Sequence, residues 1–109
     1  MGFFSPDTEA DALKQIEKIN SEMRAISALI HLNYNMIDGR NRNRIKFHLT
    51  NALRYAAKYY RIKQNLPELD RMMFMGATVN VWNGERVGVF MWETYFENVT
   101  KQLCIDLNY

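Results

Sequence analysis

Cysteine, histidine and long apolar runs are scarce in this sequence of 109 residues. It holds one cysteine, Cys104, and two histidines. A single cysteine cannot form a disulfide within the chain, which favours a reducing compartment such as the cytoplasm. The longest apolar runs are far shorter than the roughly 20 residues of a membrane-spanning helix, so we expect no membrane segment. Residues 1–6 hold no basic residue, so we expect no secretory signal.

Sequence motifs of common enzyme classes are also missing. There is no glycine-rich phosphate loop, no nucleophile elbow and no zinc-protease motif. His31 and His48 have no cysteine or carboxylate at ligand spacing, whereas a structural zinc usually takes four protein ligands. Cys104 stands in an apolar run without a cationic neighbour that would activate it, which indicates a buried, inert thiol. We therefore predict no catalytic residue, no metal and no cofactor.

The first third of the chain carries a regular apolar seam. Its members recur three or four positions apart between Ser5 and Ile37, which predicts one long helix packed on a partner helix. Ser5 and Pro6 suit the helix start, and Thr8 followed by Asp11 offers an alternative cap. The seam is regular enough to meet a second copy of the chain. We therefore predict a homodimer or higher homo-oligomer formed through Ile16, Ile19, Met23, Ile26 and Ile30.

A second amphipathic segment follows Gly39, which is predicted to end the first helix in the left-handed conformation. Residues 40–44 are predicted to form a polar connection into a helix over residues 42–64, which stops before Pro67. A short connection between two amphipathic helices favours an antiparallel helical hairpin, here over residues 5–65.

The apolar period changes from helical to alternating in the last third of the chain. Residues 68–75 predict a short helix, and four valines then alternate around Asn83-Gly84, which predicts a β-hairpin. A three-residue loop over 82–84 with Gly84 left-handed would place all four valines on one face. A capping box of Thr94 and Glu97 predicts a last helix over residues 94–107.

Together these elements predict an α+β fold that is mostly α, in a single domain over residues 1–109. A long antiparallel helical hairpin is followed, over residues 77–109, by a small two-stranded β-hairpin and a C-terminal helix.

Positive charge is concentrated in the middle of the chain. Residues 23–63 hold nine basic side chains and one acidic side chain, whereas both flanks have an acidic excess. Arginine forks bind carboxylate or phosphate oxygens in pairs, and aromatic rings stack on exposed bases. The alternative is a solvated face whose charges pair with acidic parts of the same chain or of a second subunit. The candidate partner- or nucleic-acid-binding residues are Arg40, Arg42, Arg44, Lys46, Phe47, Arg54, Tyr55, Lys58 and Arg61.

Two apolar groups need a cover that the helical hairpin does not supply. Phe47, Tyr55 and Ile62 lie away from the main apolar face of the second helix, and we expect the last third of the chain to cover them. The alternative is that they are exposed for a partner. The methionines of residues 72–75 are expected in the core as gap-filling side chains, and they are a candidate partner contact if exposed.

Three classes of function fit these features. The first is a non-enzymatic interaction protein, such as an adaptor, assembly subunit or inhibitor, which binds an acidic protein surface or a nucleoprotein complex through its basic helix. The second is a nucleic-acid-binding protein, whose affinity would fall steeply with salt because counterions are released. The third, a small-molecule enzyme, would need a deep pocket with perturbed titrating groups. We favour the first class, in the cytoplasm and without a membrane partner.

Overall fold

The computed structural model of the protein describes residues 7–32 and 39–109. This part contains four helices, α1 (Glu9–Leu32), α2 (Gly39–Asn65), α3 (Glu68–Met75) and α4 (Val89–Leu107), and two antiparallel strands, β1 (Thr78–Asn80) and β2 (Arg86–Gly88). The predicted fold class is confirmed. Buried side chains from all four helices and from β1 form one core cluster.

The alternative cap at Thr8 is the one that begins α1. The Thr8 amide donates a 2.9 Å hydrogen bond to the Asp11 carboxylate, and the Asp11 amide donates a 3.3 Å hydrogen bond to the Thr8 hydroxyl. These reciprocal bonds satisfy amides that a helix N-terminus otherwise leaves without partners. The predicted ends at Ser5 and Ile37 lie outside the described residues.

The seam predicted for self-association is instead buried inside the chain. Its first four members are at most 2% exposed, and the fifth, Ile30, packs on the same core. The partner helix is α2, which runs antiparallel to α1. This direction is visible in two contacts, Glu22 with His48 and Lys18 with Tyr55. Self-association stays a prediction, but four side chains of the seam are not available for it, because they are already buried within the chain. The members of the predicted seam are Ile16, Ile19, Met23, Ile26 and Ile30.

Helix α2 begins earlier than predicted. Gly39 is its first residue rather than the end of α1, and residues 40–44 are helical rather than a loop. The physical reason is that the buried stripe of α2 extends back to Asn41, which is 7% exposed and lies one turn before the buried Ile45. The arginines of this segment therefore project from a helix.

The β-hairpin has the predicted register. Val79 pairs with Val87, and the Val81 amide donates a 2.7 Å hydrogen bond to the Glu85 carbonyl, which leaves residues 82–84 as the loop. Gly84 has a φ of 91°, a conformation that favours glycine. Val79 and Val81 are buried and Val87 is half-buried, so this face of the hairpin lies on the helices.

Helix α4 begins at Val89, five residues before the predicted start. The Val89 amide donates a 2.7 Å hydrogen bond to the Ala77 carbonyl, so the chain passes from the sheet directly into the helix. Thr94 is not a cap, because it lies inside the helix and its hydroxyl donates to the Phe90 carbonyl at 3.2 Å. Buried side chains recur from Val89 along the helix at three- and four-residue spacing, and this core-facing stripe decides where the helix begins. They are Val89, Trp92, Phe96, Thr100, Leu103 and Leu107.

Candidate functional site

A regular stripe of mostly basic residues follows the solvent side of α2. From Arg40 to Arg61 its members are alternately four and three positions apart, so they lie on one helix face about 32 Å long. All are exposed except the half-buried Asn51. We call this surface the basic face, and it consists of Arg40, Arg44, Phe47, Asn51, Arg54, Lys58 and Arg61.

The charges of the basic face are not neutralised by contacts within the described part of the chain. The described residues hold an ion pair of Lys63 with Glu93 and a hydrogen-bonding contact of His48 with Glu22. No hydrogen bond or ion pair within residues 7–32 and 39–109 involves the side chains of four arginines of this face or of the neighbouring Lys46. Lys58 acts at longer range, since its charge helps to lower the pKa of the Asp11 carboxyl after the larger effect of hydrogen bonds from Thr8. The four arginines are Arg40, Arg44, Arg54 and Arg61.

Two of the predicted binding residues have other contacts. The Arg42 guanidinium donates to the Leu107 carbonyl and so ties the start of α2 to the end of α4. The Tyr55 ring packs on the core and lies under the Lys18 ammonium, 5.6 Å from the ring centroid. Neither side chain belongs to the basic face.

The expectation that the last third of the chain covers Phe47 is wrong. Phe47 is 61% exposed, whereas Ile62 is buried and Tyr55 is half-buried. The rings of Phe47 and His48 are in T-shaped contact, with centroids 5.3 Å apart and ring planes at 74°. His48 is itself held by Glu22 at 2.6 Å. An exposed aromatic ring thus stands among unpaired cations on a supported helix face.

A groove of about 520 Å³ lies where the basic face meets the C-terminal end of α4. Two cations, two aromatic rings, a threonine and three asparagines line it, and none of these side chains is acidic. Its lining residues are Asn43, Lys46, Phe47, Thr50, Asn51, Arg54, Asn108 and Tyr109. Lys46, Phe47 and Arg54 are the predicted binding residues that the structure brings together there.

The far wall of the groove comes from the end of α4 and was not predicted. Asn108 ends that helix in the left-handed conformation, with a φ of 53°. The Tyr109 amide then donates a 2.9 Å hydrogen bond to the Cys104 carbonyl. The Tyr109 hydroxyl lies 2.9 Å from the Thr50 hydroxyl, whose own proton goes to the Lys46 carbonyl at 2.8 Å. Tyr109 is therefore the donor, and this bond anchors its ring beside the groove.

A second cavity, of about 330 Å³, lies between α1 and β1. Asn20 and Arg86 line it, but both Asn20 side-chain atoms are bonded to Asn80 and Trp92, and Arg86 bonds β1. The groups whose pKa is clearly raised are Tyr59 and Tyr60, through burial first and then through hydrogen bonds to Glu93 and Glu97. Neither tyrosine lines this cavity or the groove.

The remaining sequence candidates fall outside these sites. No cluster of three metal-ligating side chains occurs within the described ranges, and the His31 side chain is not among the described ones. Cys104 is a half-buried free thiol. No helix of the described residues has the length and apolar character to cross a membrane.

The methionine-rich α3 is only partly core. Phe74 is buried, but Leu69, Met72 and Met73 are each about two-thirds exposed, so the prediction that these methionines fill the core is wrong for two of them. The reason is that an eight-residue helix packs one side only, and that side is taken by Phe74.

No protein-family model, no curated protein and no solved structure matches this chain.

Proposed function

We propose that this protein is a non-enzymatic interaction protein that binds an anionic macromolecular partner through the basic face of α2. The observation that carries the proposal is the set of exposed, unpaired cations along about 32 Å of one helix. An acidic protein surface and a nucleoprotein complex are the partners that this charge favours. Such a field raises association rates and selects partners of opposite sign.

The way α2 is held also supports a binding role. The side opposite the basic face packs on α1 through buried residues, among them Leu49 and Ala56. Two contacts fix α2 against α4, the Lys63–Glu93 ion pair and the Arg42 hydrogen bond to Leu107. A helix held in this way presents its cations in a set arrangement, which lowers the entropy cost of binding.

The proposal is tested by titrating a fluorescent polyglutamate peptide and a fluorescent DNA duplex at low and at physiological salt. The charge variant is Arg54→Ala/Lys58→Ala/Arg61→Ala, and the matched control Lys14→Ala/Arg24→Ala/Lys101→Ala removes three exposed cations from α1 and α4. We expect the charge variant to lose binding to either anion and the control to keep it, with both folded by circular dichroism. Failure of the wild-type protein to bind either anion at low salt would overturn the proposal.

Location and self-association are part of the same proposal. Cys104 is a free thiol, which favours the cytoplasm. A homo-oligomer, if formed, must use a surface other than the α1 seam, which α2 occupies.

A further inference from the structure

We infer that the groove between α2 and the end of α4 binds single-stranded nucleic acid, with a base stacked on Phe47. This inference rests on the proposed function and names the class of its partner. It depends on three properties of the groove: its cations, its two aromatic rings and its amide groups.

Arg54 links the groove to a line of cations along α2. It belongs to the basic face, in which Arg40, Arg44 and Arg61 lie on the same side of the helix. Lys46, the other cation that lines the groove, lies eight residues from Arg54, or about 12 Å along the helix axis, on a neighbouring side. None of the side chains that line the groove is acidic, so none of them repels a phosphate. A flexible single strand could follow this line with its phosphates, each contact releasing counterions.

The two aromatic rings of the groove can stack on bases, which cations alone do not provide. Phe47 is 61% and Tyr109 53% exposed, and both line the groove. A T-shaped contact with His48 supports Phe47, and a hydrogen bond to Thr50 anchors Tyr109. Stacking on such rings is the usual way in which proteins hold unpaired bases.

The amide groups make the groove suited to base edges. Asn43, Asn51 and Asn108 line it, and each side-chain amide offers both donors and an acceptor. A base edge also presents donors and acceptors, whereas an acidic peptide needs only cations and amide donors. The bases of a duplex are stacked and paired, so they cannot lie on Phe47. These features favour a single strand over a duplex or an acidic protein.

The experiment is a fluorescence-anisotropy titration with single-stranded oligothymidylate, single-stranded oligouridylate, a DNA duplex of the same length and a polyglutamate peptide. Phe47→Ala is compared with Phe47→Trp and with Phe90→Ala, which removes a similarly exposed phenylalanine, 68% exposed, from α4. Lys46→Gln and Arg54→Gln are measured over a series of salt concentrations.

We expect both single strands to bind more tightly than the duplex and the peptide, because only the single strands offer unpaired bases to Phe47. The DNA and RNA strands should bind alike, because stacking on Phe47 does not involve the 2′-hydroxyl. Phe47→Ala should weaken single-strand binding about tenfold, the size of one lost stacking contact, without changing the salt dependence. Phe47→Trp should restore binding, and Phe90→Ala should leave it unchanged. Lys46→Gln and Arg54→Gln should each lower the slope of log K against log salt by about 0.7, the value for one phosphate contact on a single strand.

Two results would overturn the inference but keep the proposed function. One is tight binding of the duplex or of the peptide, lost in the charge variant but unaffected by Phe47→Ala. The other is single-strand binding that Phe90→Ala weakens as much as Phe47→Ala does. Absence of binding to all four probes at low salt would instead remove the proposed function as well.

Discussion

The Tyr59 hydroxyl donates a 2.6 Å hydrogen bond to Oε2 of Glu93 in the buried contact between α2 and α4. The Lys63 ammonium lies 2.9 and 3.0 Å from the two oxygens of the same carboxylate. It also lies over the rings of Tyr59 and Tyr60, at 5.8 and 5.1 Å from their centroids. Among the lysines and arginines of α2, Lys63 is thus the one that an ion pair neutralises within the described residues, and it lies on the side away from the basic face.

Replacing Glu93 with alanine should destabilise the protein by about 2–4 kcal/mol. The change leaves the fully buried Tyr59 hydroxyl without an acceptor and Lys63 without its counter-charge, and unsatisfied buried groups of this kind are costly. Urea unfolding monitored by circular dichroism measures the effect. The control is Glu97→Ala, which removes the exposed acceptor of Tyr60 and should cost less than about 1 kcal/mol. Equal losses of unfolding free energy in the two variants would contradict this prediction, because they would show that the burial of Glu93 adds nothing to its contribution to stability.

Alkaline pH should unfold the protein partly through Tyr59. Burial, and next the hydrogen bond to Glu93, raises the pKa of this phenol well above its usual value of 10.0. The folded state therefore favours the neutral phenol, and the stability from this preference is complete below pH 10.0. It falls as pH rises from there toward the folded pKa, by about 1.4 kcal/mol per pH unit.

Unfolding free energies measured between neutral pH and pH 11 test this expectation. Tyr59→Phe should lower stability at neutral pH because its hydrogen bond is lost, yet its stability should decline less steeply above pH 10. Tyr60 contributes in the same direction, since burial first and the hydrogen bond to Glu97 second raise its pKa too. An unchanged alkaline slope in Tyr59→Phe/Tyr60→Phe contradicts the prediction.

Substitution of Asn20 in α1 should lower the stability of the protein. It is 4% exposed, its Nδ2 donates to the Asn80 carbonyl at 2.6 Å, and its Oδ1 accepts from the Trp92 indole at 2.8 Å. Asn20→Leu removes both bonds and leaves a buried indole N–H without a partner, which should cost about 2–3 kcal/mol. Chemical unfolding and near-ultraviolet circular dichroism measure the loss. The exposed Asn98→Ala is the matched control and should stay within about 0.5 kcal/mol of wild type.

Acid should weaken the cap of α1. The Thr8 amide, and next the Thr8 hydroxyl, hold the pKa of the Asp11 carboxyl below its usual value of 3.8. Because the folded pKa is lowered, the stabilising effect of this carboxylate is complete above pH 3.8 and is lost as pH falls through the folded pKa. NMR titration of the carboxyl should show the lowered pKa, and Thr8→Ala should raise it part of the way. If Thr8→Ala leaves the pKa of the Asp11 carboxyl unchanged, the hydrogen bonds of the cap are not what lowers it.

The parts of the fold that could be predicted depend on local chemistry. The hairpin register follows from Gly84, because the left-handed loop position needs a glycine and thereby sets Val79 opposite Val87. The cap at Thr8 follows in the same way from a three-residue spacing to Asp11. In each case the interacting groups are close in the chain.

Local patterns are less informative about surfaces whose partner lies far away in the chain. A heptad spacing cannot tell whether Ile16 and Ile19 meet a second copy or α2, since either would satisfy the same pattern. The capping box at Thr94 is a valid local signal, but the burial of Val89 and Trp92 begins the helix earlier. Tertiary burial outweighs a cap, which contributes only about 1 kcal/mol.

The candidate site also has features that follow from local spacing and features that depend on tertiary packing. The amino-acid sequence by itself determined the cations of α2 and their common face, because helical spacing alone places Arg54, Lys58 and Arg61 together. Only the tertiary structure decided that Phe47 is exposed and that Tyr109 closes a groove beside it, 59 residues from the Thr50 that it contacts. Spacing along one helix is local geometry, whereas exposure and grooves depend on which other elements pack against that helix.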